Sequence, residues 1–396
     1  MTWILDGMRT PTRLAAAGVL LFALVACGEG GSPQPSTTPP TGGHSTTATH
    51  GHTAPGAADG ALPLRPGERF VELTMARPYT PTPPNGGTDE YRCMVVDPRS
   101  TKEQYLTGVQ FKPQNTAMSH HTITFVVPPE KAAAVRAKDA QTPEEGWTCF
   151  GTDGLDTSTW ADAWTPGARE TLLEPGLGYR MRPGSVLVLQ IHYNLLATGG
   201  EPAGTDQSSV RLRTTDGTDK TVALDTFTLV APIDLPCAPP ETGPLCDRDA
   251  AVADVHKRFG ADSVHMHAAL RQGCGATKPG NTQYCDIVLA APLTLYASRG
   301  HMHLLGRSIS IERNPGTPKA EKLLDVRSFD FDDQALHVRN EPLQLEAGDR
   351  LRVSCTHDAG LRRQLPQLRS LPPRHVVWGE GTADEMCLGM LTVGTP

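Results

Sequence analysis

Two histidines two residues apart, His301 and His303, stand in the stretch Ser298-Arg299-Gly300-His301-Met302-His303-Leu304-Leu305-Gly306. On a β-strand, residues i and i+2 point to one face, so both imidazoles can grip one metal ion. Late in the chain, Asp384-Glu385-Met386-Cys387 offers a thioether to the same ion. Imidazole with thioether suits copper, Cu(I) above all, better than magnesium or calcium.

Further histidines lie in strand-like runs. His120 and His121 are neighbours at the start of His120-His121-Thr122-Ile123-Thr124-Phe125-Val126-Val127. Neighbours in a regular strand face opposite sides. The pair meets one ion only at a strand end, at a bulge, or through different ring nitrogens; otherwise one is a core residue and the other a surface residue. His192 ends the apolar run from Val186, where a lone histidine reads as a core residue. Val264-His265-Met266-His267 holds a second His-x-His. It falls in a helical pattern, and on a helix the two would diverge by roughly 200°; a strand there would revive the pair.

The elements that must position these groups are short. The 396-residue chain is rich in Gly and Pro, and alternating runs such as Leu293-Thr294-Leu295-Tyr296 and Ser308-Ile309-Ser310-Ile311 read as half-buried strands. The expectation is an all-β chain long enough for two domains. The exception is residues 237–285, where Ala250 to Gln272 reads as one or two helices bracketed by Cys237, Cys246, Cys274 and Cys285. A net charge of −7 with no basic stripe points away from a nucleic-acid partner.

The N-terminus reads as a targeting segment. Arg9 and Arg13 precede an apolar run from Leu14 to Val25, too short for a span of roughly 20 residues. It ends in Leu24-Val25-Ala26-Cys27, which resembles a bacterial lipobox. Residues 1–27 are then a lipoprotein signal peptide, with Cys27 lipidated; an ordinary signal peptide is the alternative. Residues 28–65 are a Gly/Ser/Thr/Pro linker whose histidines, His44, His50 and His52, read as incidental. The expected setting is a periplasm or cell surface, with the chain held by its lipid.

Nine cysteines become eight without Cys27, and no CxxC occurs, which sets aside zinc-ribbon and thioredoxin readings. Eight cysteines allow about 105 pairings. Order and context suggest Cys93–Cys149, Cys237–Cys246, Cys274–Cys285 and Cys355–Cys387. The turn at Ala197-Thr198-Gly199-Gly200-Glu201-Pro202 suggests a domain boundary, with domains at 66–200 and 201–396.

Six segments occur in the order seen in one family. They are Tyr91-Arg92-Cys93, His120-His121, Leu189-Gln190-Ile191-His192-Tyr193, Arg299-Gly300-His301-Met302-His303-Leu304-Leu305-Gly306, the Gly348-Asp349 to Cys355 strand, and Gly381-Thr382 to Cys387. On these the chain resembles the copper type II, ascorbate-dependent monooxygenases, which include the peptidylglycine α-hydroxylating and dopamine β-monooxygenases. The resemblance covers about residues 69–396, with 237–285 as an insertion. It implies two tandem jelly-roll-like antiparallel β-sandwiches, one copper in each, facing across a cleft. His120, His121 and His192 match the electron-transfer copper site, and the resemblance reverses the local reading of His120 and His121. His301, His303 and Met386 match the catalytic site. The implied activity is hydroxylation of a C–H bond in a small organic substrate, using O2 and ascorbate or another one-electron reductant, by a monomer. Arg299 matches an arginine that holds a substrate carboxylate in the peptide branch. Yet Leu388-Gly389-Met390 stand where that branch has substrate-contacting asparagine and tyrosine, which counts against peptide amidation. The alternatives are a copper-delivery lipoprotein without turnover, or an envelope structural lipoprotein.

Overall fold

The computed structural model describes residues 61–84, 87–150, 158–166, 168–331 and 333–394. The signal peptide, Cys27 and the linker histidines lie outside them.

In chain order the first half comprises β1 (Glu68–Thr74), β2 (Asp89–Val96), β3 (Gln104–Lys112), β4 (Ser119–Val127), α1 (Pro129–Asp139), β5 (Trp147–Thr148), β6 (Thr159–Trp164), β7 (Thr171–Leu172), β8 (Leu177–Met181), β9 (Val186–Asn194) and β10 (Ser209–Thr215). The second comprises β11 (Val222–Val230), β12 (Asp234–Leu235), α2 (Arg248–Cys274), β13 (Thr282–Val288), β14 (Leu293–His301), β15 (Gly306–Arg313), β16 (Glu321–Val326), β17 (His337–Leu345), β18 (Arg350–His357), β19 (Val376–Val377) and β20 (Leu388–Gly394).

The all-β expectation holds, with antiparallel sandwiches. A five-stranded sheet, β5-β2-β9-β4-β6, packs on the β1-β10-β3-β8 part of a nine-stranded sheet. Leu187, Leu189 and Ile191 of one meet Leu106, Val109 and Leu212 of the other in one core. A four-stranded sheet, β13-β18-β15-β16, packs on the β11-β20-β14-β17 part. There Ile309, Ile311 and Val353 meet Leu295, Leu391 and Val393. One long sheet therefore runs through both halves, joined where β8 and β11 pair in parallel, Leu177 to Tyr179 against Val222 to Leu224.

Burial explains the sequence patterns. β18 is buried at every second residue because only one face meets the core. β9 is apolar without alternation because Ala132 and Val135 of α1 join Val186 and Val188 in a second cluster on its outer face. Gly300 lies where β14 packs closest on β15. A Cβ there would sit 2.6 Å from Ile309 Cγ2, so only glycine allows that approach.

The boundary expected at 197–202 needs moving. β10 follows it, yet pairs with β1 and β3. The chain passes between halves at 216–221, after β10 has returned to complete the first sandwich. A Gly-rich turn marks a loop, and a loop does not by itself mark a domain boundary.

All four expected disulfides form: Cys93–Cys149, Cys237–Cys246, Cys274–Cys285 and Cys355–Cys387. They indicate an oxidising environment. The cysteine-bracketed segment holds α2, capped by the Asp247 side chain on the Ala250 amide and broken at Gly260, which has φ 66°. It is thus two helical pieces, and His265 and His267 point apart as expected for a helix. His267 instead meets His256 across the break, Nδ1 to Nε2 at 2.9 Å. No helix of the described residues is long and apolar enough to cross a membrane.

Candidate metal centre

His120 and His121 come together because β4 is irregular. Its register on β9 shifts between Ser119 and His121. The bulge sets Ser119 and His121 against the consecutive residues Tyr193 and His192, so that His120 can share its neighbour's face. β9 brings His192 opposite His121. Ligand atoms of His120, His121 and His192 all lie within 4.8 Å of one another. Their ring centroids are 4.7 to 5.6 Å apart.

Tyr91 stacks on His192 at 4.1 Å. The His192 Nε2–H donates to Asp89 Oδ1 at 2.9 Å. That leaves His192 Nδ1 buried with no hydrogen-bond partner, its lone pair open to a metal ion. Burial pushes the Asp89 carboxyl up, but His192 and Thr382 outweigh it and bring it down to about 2. Burial lowers His192, with Asp89 opposing. Burial and the surrounding imidazoles hold His121 well below the usual range. These rings stay neutral, the form that ligates metal.

His301 ends β14, and His303 follows in the turn to β15. Their centroids are 5.2 Å apart. The His301 Nδ1–H donates to Gln334 Oε1 at 2.6 Å. His303 Nδ1 faces the Asp384 carbonyl at 3.3 Å. Both rings thus keep Nε2 for another partner. Burial and His303 push His301 down to about 3, with Gln334 opposing.

Met386 is brought alongside by its neighbours. The buried Glu385 carboxylate accepts from the His303 amide at 3.0 Å and the Leu305 amide at 2.6 Å. Cys387 is tied to β18 through Cys355. Leu388 pairs with His301. Met386 is therefore buried, 6 % exposed, beside the His301–His303 turn.

The two histidine sets do not face each other across a cleft, as the resemblance implied. His121 and His301 have ring centroids 5.9 Å apart. Phe331 stacks on His120 at 5.0 Å and stands 6.4 Å from His303. The five rings form one contiguous cluster at the seam between the sandwiches. Arg299, two residues before His301, donates Nη1 to the Ala163 carbonyl at 3.0 Å, across that seam.

Residues 276–392 match the family model for the copper type II ascorbate-dependent monooxygenase, C-terminal domain. The match spans His301, His303 and Met386 and excludes His120, His121 and His192. No curated protein matches the chain. Solved structures with some likeness include the major capsid protein P2 of bacteriophage PM2, 8% identical over 82% of this chain and 97% of that one, TM-score 0.29. An allantoicase is 9% identical over 83% and 90%, TM-score 0.20. A fucolectin from striped bass serum is 8% identical over 83% and 97%, TM-score 0.18. At such scores these likenesses carry no argument.

Asp89, Glu385, Gln334 and Phe331 were missed as site residues by sequence reasoning. Only Glu385 had a signal, its place beside Met386. The others reach the cluster through tertiary contacts that no local spacing encodes.

Proposed function

We propose that the chain is a copper-dependent monooxygenase that hydroxylates a C–H bond of a small organic substrate with O2 and a one-electron reductant such as ascorbate. His120, His121 and His192 hold one ion; His301, His303 and Met386 hold the other. The observation that carries this reading is that His192 Nδ1 is buried without a hydrogen-bond partner, on a residue whose ligand atom lies within 4.8 Å of those of His120 and His121. It stands beside His301 and His303, which lie in the matched C-terminal domain of the copper monooxygenase family model.

The donor chemistry fits copper. Imidazoles serve both oxidation states, and a thioether favours the reduced one. When bound, the copper supplies one-electron redox chemistry with dioxygen. The chain's own part is positioning. Asp89 fixes the His192 tautomer, and Gln334 and the Asp384 carbonyl fix those of His301 and His303. Burial keeps the His121, His192 and His301 rings neutral. Each sandwich would serve one ion, on a chain anchored through Cys27 to a bacterial membrane. A copper-delivery role needs one donor set, and here there are two.

Copper counting tests the reading. The full chain is loaded with copper, stripped of loose metal and assayed. Two tightly held ions are expected, with His192→Ala and Met386→Ala each weakening a different one. One ion would favour the carrier, and none would sink the proposal.

A further inference from the structure

Beside the histidine cluster, a cavity of about 30 Å³ lies in the seam between the sandwiches. That is room for about one or two waters, or for one polar end of a larger molecule. Asp162 and Trp160 of β6 and Tyr179 of β8 line it from the first half; Arg299 of β14 and Met390 of β20 line it from the second. Arg299 and Met390 are cross-strand partners. Arg299 precedes His301 by two residues, so the cavity begins about 7 Å along the strand from that imidazole.

Its two charged groups are each left incomplete. Asp162 is 6 % exposed, and its Oδ1 has no hydrogen-bond partner. Arg299 Nε is buried and has none either. No ion pair between Asp162 and Arg299 occurs among those of the described residues. Leaving buried polar atoms unmet is costly, so such sites are held for a ligand or water. One acceptor and one donor face the same small space. Without a direct ion pair, the Arg299 charge still favours the Asp162 carboxylate against the burial that raises it. A second carboxylate would bring an uncompensated negative charge into the seam, and an ammonium a positive one.

Resting on the monooxygenase reading, we propose that this cavity receives an uncharged polar end of the substrate. The group both accepts from Arg299 and donates to Asp162, as a primary amide does. Asp162 is then the specificity-determining residue that turns Arg299 away from substrate carboxylates. It holds the substrate by this end while the rest of the molecule extends along β14 toward His301.

Three fluorinated probes of one shape test this on the copper-free full chain: trifluoroacetamide, trifluoroacetate and trifluoroethylammonium. Binding is read from fluorine NMR line broadening, so copper plays no part in the readout, and a failed copper count leaves this result intact. The amide is expected to bind about tenfold tighter than either ion. Asp162→Asn should reverse the order, weakening the amide and strengthening trifluoroacetate about tenfold. Trifluoroacetate binding best to the unaltered protein would overturn the proposal, as would no binding of any probe. The unaltered protein's ranking decides the matter even if the variant folds poorly. An unchanged ranking in a folded Asp162→Asn variant would also overturn it.

Discussion

Asp89 of the first half accepts a hydrogen bond from the Thr382 hydroxyl of the second at 2.8 Å. The same oxygen takes the His192 Nε2–H. Thr382 lies four residues before Met386, so one carboxylate oxygen ties the three-histidine set to the loop that carries the thioether. The expected consequence is that Asp89→Asn weakens copper at His120–His121–His192 by about 10–100-fold, since an orienting carboxylate steadies a ligating imidazole. Thr382→Val should cost less, because the Asn194 amide also reaches Asp89 Oδ1, at 3.3 Å. Copper titration of both variants checks this. Equal affinities in Asp89→Asn and the unaltered protein would refute it.

Glu385 is the fastener of the second set. Its carboxylate is fully buried and meets the His303 and Leu305 amides and the His357 ring, the last at 3.2 Å. Glu385→Ala strands the two amides in the core, while the His357 ring keeps the Met386 carbonyl at 3.4 Å. Each unmet group costs about 1–3 kcal/mol, so the loss should be at least about 2 kcal/mol. Urea unfolding measures it. A loss below about 1 kcal/mol would mean that the turn holds itself.

These cases mark what could be read in the sequence. Residue types and short spacings singled out His301 and His303, and the alternating runs announced a β protein. The disulfides followed from order because each of the four joins cysteines that are consecutive in sequence. The bulge that turns His120 is invisible locally, since a regular strand separates His120 from His121. The return of β10 to the first sheet is equally hidden, because its register is set by strands far away in sequence. Asp89 and Asp162 act at the seam between the halves, and Gln334 reaches His301 from 33 residues away within the second; an isolated acid or amide carries no mark of such a role.

Helix α2 is wired into the same loop. Arg258 grips Asp384 with two bonds, at 2.6 and 2.7 Å, and Arg374 adds a third at 2.9 Å. Asp384 is 2 % exposed. Asp384→Asn should keep the packing but leave both guanidinium groups sharing only the Asp254 carboxylate, which each already reaches, costing about 1.5–3 kcal/mol. Arg258→Met should cost less, because Arg374 still answers the charge. Denaturant unfolding of both variants tests the ranking; an equal loss in the two would show that Asp384 serves Arg258 alone.

Glu380 sets a pH dependence. Its carboxyl is buried, with Asp384 and Asp262 adding repulsion and the Trp378 side chain offsetting part; the pKa is pushed up from 4.5 to about 8. A raised folded-state pKa means that the neutral acid favours the fold. That stability is whole below pH 4.5 and drains away as pH rises toward about 8, where the folded protein must ionise a group already ionised when unfolded. The swing is about 5 kcal/mol at most. Glu380→Gln removes the titration and keeps the shape. The variant and the unaltered protein should match near pH 4, and the variant should be the more stable by several kcal/mol near pH 9. Urea midpoints across that range give the difference directly. Parallel pH profiles would mean that Glu380 ionises in the folded state as easily as in water, with the carboxylate reaching solvent.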